Sequence, residues 1–264
     1  MIESVRLLRR RIFHTPWPLD EEIRAVAGSL DTHSFLENPS GQLAYIYLTQ
    51  FVKAFAEQHS GRPFNSLRIL DWGCGKGHVS KITLGLGPKQ LDSCDILSEQ
   101  EDSSFGQQTP ILERFKIQVT PLEHPFILPY EDAIFDIVLS FGVLEHVPND
   151  RASLAEITRV LKPGGLFFCF FLPTKLSWTQ EIAHRRGNNY HDRLYTESLV
   201  KEMLGSNHLE LLDLWYRQIL PKNTIRYPAF RFFERADQLV TEHTPLRYFA
   251  TNMEFVCAKS SDRD

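Results

Sequence analysis

The sequence predicts a doubly wound α/β domain, and three observations carry that expectation. From residue 67 onward, short apolar strands alternate with helical stretches, the pattern of a parallel sheet covered by helices on both faces. The first of these strands runs into a glycine-rich turn that opens a helix, Asp71-Trp72-Gly73-Cys74-Gly75-Lys76-Gly77. Sheets of this kind bind ligands beyond the carboxyl ends of their strands. Finally, 264 residues at 42% hydrophobic content suffice for one substantial core without staples.

Taken in order, residues 1–30 read as one or two short helices broken near Pro16-Trp17-Pro18, since proline interrupts a helix. Ser40 is placed to cap a helix over about 41–58, where Leu43, Ile46, Tyr47, Phe51 and Phe55 recur at helical spacing. Residues 1–60 are therefore set apart as a helical extension or lid, with 61–264 as the α/β domain. Leu67 to Asp71 forms the first strand, followed by a helix over about 77–85. Further strands are expected at 90–96, 115–120 and 135–140. A helix over about 151–162, with Leu154, Ile157, Val160 and Leu161 on one face, ends at Lys162-Pro163-Gly164-Gly165, because proline cannot continue it and glycine permits a sharp exit. Leu166 to Leu172 makes the fifth strand, and a helix at 197–205 leads to strands at 209–219 and 248–259. The segment 221–247 between those two is too long for a hairpin. Its Phe230, Phe232, Phe233 and Leu239 read as an inserted helix with an apolar face.

A net charge of −4 argues against a protein that coats nucleic acid. Arg9-Arg10-Arg11 reads as a solvated helix face. No apolar run approaches the ~18 residues of a membrane span, so no stable membrane insertion is expected. Glu3 and the early prolines suit neither a secretory signal nor a transit peptide. The four cysteines, at 74, 94, 169 and 257, lack Cys-x-x-Cys spacing. They are expected as buried thiols in a reducing cytoplasm, with no metal.

Glycines at 73, 75 and 77 let backbone approach a ligand without a Cβ in the way. A dinucleotide fingerprint would place its third glycine at 78, which is histidine, so a nicotinamide oxidoreductase is disfavoured. Asp95 ends the second strand, where a carboxylate can accept two hydrogen bonds from a ribose diol. Asp71 can stay buried only if its oxygens meet backbone N–H groups or a cation; a sulfonium ligand carrying an ammonium would supply that charge.

These pieces, with Leu128 to Asp136, Ser140 to Pro148 and Glu156 to Gly165, resemble the seven-stranded S-adenosylmethionine-dependent methyltransferases, particularly the group around ubiquinone and menaquinone biosynthesis. The likeness covers Leu67 to Lys259. It implies a seven-stranded, mostly parallel sheet with an antiparallel last strand, and S-adenosyl-L-methionine as cofactor. It also implies that Gly73 and Gly75 pass beneath the methionine part, that Asp95 meets the ribose, and that Ser140-Phe141 close over the sulfonium side. The segment before Leu128-Pro129 lacks the usual acidic or polar pair, and Glu123 is the candidate adenine contact. The expected cofactor set is Asp71, Trp72, Gly73, Cys74, Gly75, Gly77, Asp95, Ile96, Glu123, Ser140 and Phe141.

On the acceptor side, His146 is the first candidate base, since a histidine exchanges its proton near neutrality; a role in fixing its loop stays open. Relatives with a second upstream acid bind a divalent ion beside such a Glu-His pair, but Gly142 and Val143 stand there in this chain. His184, Arg185, Arg186, Asn188, Asn189, Tyr190, His191, Arg193 and Tyr195 form a polar cluster suited to a polar or anionic acceptor, or else a solvated surface. His191 and Tyr195 are the further catalytic candidates. Tyr45, Tyr47 and Phe51 either lid the acceptor mouth or pack in the core. The leading expectation is O-methylation of a small molecule: a polar metabolite, sugar, or lipid-linked hydroxyl or carboxyl. C-methylation of a prenyl or aromatic carbon, N-methylation, and a non-catalytic cofactor-binding subunit remain alternatives. The aromatic insertion suggests a homo-oligomer.

Overall fold

The computed structural model describes residues 3–27, 36–96, 109–187, 193–220 and 229–261. Seven strands form a sheet in the order β3-β2-β1-β4-β5-β7-β6. The chain divides into two compact units, Met1–Pro121 with Lys222–Arg235 and Leu122–Pro221 with Ala236–Asp264.

In the first unit, α1 (Val5–His14) is capped by Ser4, whose Oγ accepts from the Leu7 N–H. Leu8, Ile12 and Phe13 of α1 are buried, and the Phe13 ring meets the Tyr47 ring edge-on at 5.3 Å. Arg9 is buried too, so the three-arginine run is not wholly a solvated face; Arg11 pairs with Glu3 in the open. After α2 (Glu21–Ala27) comes α3 (Pro39–Ser60). Its cap is Asn38 rather than Ser40: the Asn38 side chain accepts from the Ser40 N–H, and Pro39 takes the first turn, where its missing N–H costs nothing. Tyr47 and Phe51 are both buried.

Next come β1 (Arg68–Trp72), α4 (His78–Gly85) and β2 (Gln90–Ile96), the last pairing parallel to β1 with Asp71 opposite Ser93. Ile23, Ala27, Leu36 and Ile46 share one apolar cluster with Ile82 and Ile111, so the N-terminal helices pack on the elements around the glycine turn. Burying each such side chain stabilises the unit by roughly 1.5–3 kcal/mol. The third strand comes later than expected. Residues 110–114 form α5 (Pro110–Arg114), and β3 is Val119–Leu122. Lys116 has φ +53°, a left-handed conformation that no strand accommodates.

The second unit begins with the buried β4 (Phe135–Phe141), followed by α6 (Asp150–Val160), capped by Asn149. The helix stops two residues earlier than expected, because β5 (Leu161–Pro173) already starts at Leu161. Phe135 pairs with Leu161 and Ile137 with Leu166, so Lys162-Pro163-Gly164-Gly165 bulges from the ladder. Proline has no N–H to donate there, and Gly164 sits at φ +73°.

Then follow α7 (Trp178–Arg185), α8 (Glu197–Gly205), β6 (Leu209–Arg217), α9 (Phe230–His243) and β7 (Asn252–Lys259). β7 runs antiparallel to both β5 and β6, the antiparallel last strand that the resemblance implied. It starts at Asn252 because Pro245–Phe249 winds into a 3-10 turn. The inserted helix expected there exists, with part of its apolar face exposed. Phe232 is 70% exposed and Leu239 is exposed as well, whereas Glu234, Asp237 and Thr241 are buried. Asp237 explains part of this: its carboxylate accepts from the backbone N–H groups of Gln218, Ile219 and Leu220 at 2.8–3.0 Å. A polar latch therefore holds the helix to the end of β6.

Candidate functional site

The first unit gathers two buried carboxyls at the carboxyl ends of β1 and β2. Asp71 is 1% exposed, and its Oδ2 accepts a hydrogen bond from Ser80 Oγ at 2.5 Å. Ser80 Oγ also lies 2.9 Å from Ser93 Oγ. Burial pushes the Asp71 carboxyl up to about 7, against the lowering effect of the Ser80 hydroxyl. Burial likewise raises Asp95 above the ordinary carboxylate range, offset by two backbone N–H groups. The Gly75 N–H donates to Asp95 Oδ2 at 2.5 Å, and the Ile96 N–H donates to Oδ1 at 2.7 Å. Asp95 thus braces the glycine turn from the next strand while each oxygen keeps a lone pair.

Gly73, Gly75 and Gly77 all have positive φ. At Gly77 the requirement is packing as well: a Cβ there would lie 2.3 Å from Leu112 Cδ2 and 2.9 Å from Leu112 Cγ. Helix α5 therefore closes directly on the turn, and the Thr109 hydroxyl donates to the Lys76 carbonyl at 2.9 Å. Trp72 and Cys74 are buried and Ile96 is exposed. Burial raises the Cys74 thiol far above its usual range, so it stays protonated. His78 lies against Tyr45, ring centroids 4.4 Å apart, and burial pulls its imidazole down to about 3. It is neutral at physiological pH.

These donors fit a cationic, ribose-bearing ligand. Among the described residues, no basic side chain pairs with Asp71 or Asp95, so a positive ligand would meet two buried carboxyls. Glu123 is exposed just past β3.

In the second unit, β4 ends with buried Ser140 and half-buried Phe141, whose ring lies 4.7 Å from that of Phe170. The turn that follows separates two neighbours sharply. The Glu145 side chain is 2% exposed and that of His146 is 52% exposed, with Glu145 Oε1 3.8 Å from His146 Nε2. Burial pushes the Glu145 carboxyl up to about 7. The sequence reading placed Glu145 only in the Glu-His pair beside which relatives bind a divalent ion, and its burial had no local signal, since exposed His146 sits between the same neighbours. Among the described residues, no group of His, Cys, Asp and Glu is arranged to hold a metal.

Two described members of the polar cluster, Arg193 and Tyr195, brace this turn. Arg193 donates to the Val147 and Pro148 carbonyls. Buried Tyr195 places its hydroxyl 3.1 Å from both the Leu144 carbonyl and Asp150 Oδ2. Burial, then the Asp150 charge, hold the Tyr195 phenol well above its ordinary range. These two contacts tie Tyr195 to the turn. Arg185 is exposed and bonds Glu181. Asn188, Asn189, Tyr190 and the catalytic candidate His191 lie outside the described residues.

The four cysteines are all buried free thiols. No described helix is long and apolar enough to cross a membrane. Residues 70–169 match the methyltransferase domain family model. The ubiquinone biosynthesis O-methyltransferase of Brucella anthropi is 30% identical over 190 residues, covering 69% of this chain and 74% of that protein. That of Maricaulis maris is 29% identical over 117 residues, and the match spans only 41% of its length. Among solved structures, a sarcosine dimethylglycine methyltransferase from Galdieria sulphuraria superposes at TM-score 0.54, with 17% identity over 84% of this chain and 87% of that one. A Burkholderia thailandensis 1,6-didemethyltoxoflavin-N1-methyltransferase, solved with S-adenosylhomocysteine, gives TM-score 0.50 at 18% identity over 93% and 92%. Both structures share the fold. The chain belongs to the class I S-adenosylmethionine-dependent methyltransferases.

Proposed function

We propose that the protein transfers a methyl group to an oxygen of a small-molecule acceptor. The observation that carries this reading is the half-exposed imidazole of His146 beside the buried carboxyl of Glu145 at the end of β4. A hydroxyl acceptor must lose a proton as it is methylated, and a positioned base contributes typically 10²–10⁴-fold. The names of the curated relatives, O-methyltransferases of ubiquinone biosynthesis, agree with an oxygen acceptor.

S-adenosylmethionine supplies the methyl group already activated on a sulfonium, so the chain's own work is binding, orientation and proton removal. In this reading, backbone at Gly73, Cys74, Gly75 and Gly77 admits the methionine part, flanked by Trp72. Asp71 meets its ammonium, Asp95 and Ile96 meet the ribose, and Glu123 meets the adenine amino group. On the second unit, this reading assigns Ser140 and Phe141 to the sulfonium side and His146 to proton removal. Four buried thiols suit a cytoplasmic setting.

The test is a methyl-transfer screen against hydroxyl-bearing, amine-bearing and prenylated small molecules, read as a mass gain of one methylene unit. Products methylated on oxygen support the reading. Transfer only to nitrogen or carbon overturns it.

A further inference from the structure

We propose that Phe171 is a specificity-determining residue: its ring, re-aimed by a bulge near the carboxyl end of β5, forms with Phe141 an aromatic wall that selects a flat, conjugated acceptor over a saturated one. The proposal rests on the oxygen-transfer reading, which assigns Phe141 to the sulfonium side, and every residue it uses belongs to the second unit.

Phe171 differs from its neighbours in β5 in three ways. In the pairing with β7, Cys169 faces Phe255 and Leu172 faces Met253, so β5 carries one residue more than its partner across that step. Such bulges re-aim a side chain and recur beside active sites. Phe171 also has φ +62°, a left-handed conformation that is a genuine outlier for a bulky residue and that glycine or asparagine adopts with little strain. Finally, Phe170 and Leu172 are fully buried, whereas Phe171 is only half-buried. A residue that serves packing alone needs neither the strained backbone nor the partly open ring. Strain of this kind persists where the surrounding structure fixes it, and it clusters at ligand-binding sites.

The surroundings do fix it. The Gly142 N–H donates to the Phe170 carbonyl at 3.0 Å, which ties the turn after β4 to the bulge. The Phe171 ring lies 6.1 Å from that of Phe141, tilted by 52°. The guanidinium carbon of Arg217 stands 5.0 Å from the Phe171 ring centroid, and Arg217 is paired in turn with Glu254 at 2.7 Å. β4 runs parallel to β5, and β6 points the same way because both β5 and β6 are antiparallel to β7. Phe141, Phe171 and Arg217 therefore share the carboxyl edge, where sheets of this kind bind ligands. Two half-buried rings at that edge offer faces and rims on which another flat ring packs at roughly 4.5–7 Å between centroids. A puckered ring cannot reproduce that contact.

The experiment compares catechol with cyclohexanediol, and naphthol with decalol, each saturated compound keeping the hydroxyls of its flat partner. Binding to the full chain, saturated with S-adenosylhomocysteine, is measured by ligand-observed NMR. The wild type should prefer each flat probe. Phe171→Leu keeps apolar bulk but loses the ring, so it should weaken the flat probes by roughly threefold to tenfold. The saturated compounds and S-adenosylhomocysteine should bind it as they bind the wild type. Equal binding of flat and saturated probes by the wild type, no binding of the flat ones, or an undiminished preference in Phe171→Leu would each overturn the proposal. Should Phe171→Leu not fold, Phe171→Asn serves instead with the same outcomes, because asparagine tolerates the left-handed backbone. Methyl transfer only to nitrogen or carbon would overturn the oxygen-transfer reading and leave these affinities as they are, so the two readings fail separately.

Discussion

Replacing Asp71 with asparagine separates what the buried acid costs the fold from what it gives the ligand. The carboxyl is raised by burial from 3.8 to about 7. The native state therefore holds a proton that the unfolded chain releases between about pH 4 and 7. Protons bound natively but not in the unfolded state make stability fall as pH rises across that window, then level off above it. Three units at about 1.4 kcal/mol each give a loss on the order of 4 kcal/mol by pH 8. Asp71→Asn has no such proton, so denaturant melts should show its advantage over wild type growing from pH 5 to pH 7.5. Binding reverses the sign. A cationic ligand beside Asp71 favours the carboxylate, so S-adenosylmethionine should displace about one proton at pH 6 and none above pH 8. Calorimetry in two buffers of different ionisation enthalpy counts that proton, and the Asp71→Asn variant controls for ionisation of the ligand itself. Wild-type affinity should rise up to about tenfold per unit below pH 7, and the variant's should stay flat. Wild-type binding heats independent of buffer at pH 6, or parallel pH dependence of stability in the two proteins, would refute the reasoning.

Gly77→Ala should cost about 1–3 kcal/mol, since its Cβ meets Leu112 and its φ is +82°. Thermal melts of the single and the Gly77→Ala/Leu112→Ala double variant check this, and the steric part of the loss should shrink in the double. In the second unit, Arg217 Nε meets Glu254 Oε1 at 2.7 Å, with side chains 3% and 0% exposed. The Trp215 indole N–H donates to Glu254 Oε2. Glu254→Gln removes one carboxylate from a buried ion pair and should cost about 3–5 kcal/mol by urea denaturation; a loss under 1 kcal/mol would show that the pair is not truly desolvated.

The fold was legible where a local signal had no competitor. The strand Gln90–Ile96 and the helix Glu197–Gly205 lie at the residues expected for them, and the Thr196 side chain caps the helix. Misreadings fell where tertiary context decided. Periodicity ran α6 on through Leu161, but pairing with Phe135 draws that residue into β5. The polar latch of α9 was not foreseen: Asp237 satisfies three backbone donors at the end of β6. Hydrophobic pattern carries no information about such a partner, because it sits about 18 residues away in sequence and is made of main chain.

The same reasoning explains why one half of the chemistry was easier to read than the other. Asp71 belongs to a contiguous strand-turn-helix pattern, with Ser80 one helical turn past Gly77, and Asp95 ends the adjacent parallel strand, whose place beside the glycine turn the βαβ pattern itself sets. Around His146 the deciding facts are nonlocal. Arg193 and Tyr195 looked like acceptor ligands because they are polar and lie past β5. Chain return instead brings them onto the carbonyls of residues 144–148, and a donor spent on backbone holds a loop rather than a substrate. A turn tied down by Arg193 and Tyr195 keeps its outward imidazole in place, and reactions that depend on positioning lose about 10²-fold for a 1 Å misplacement.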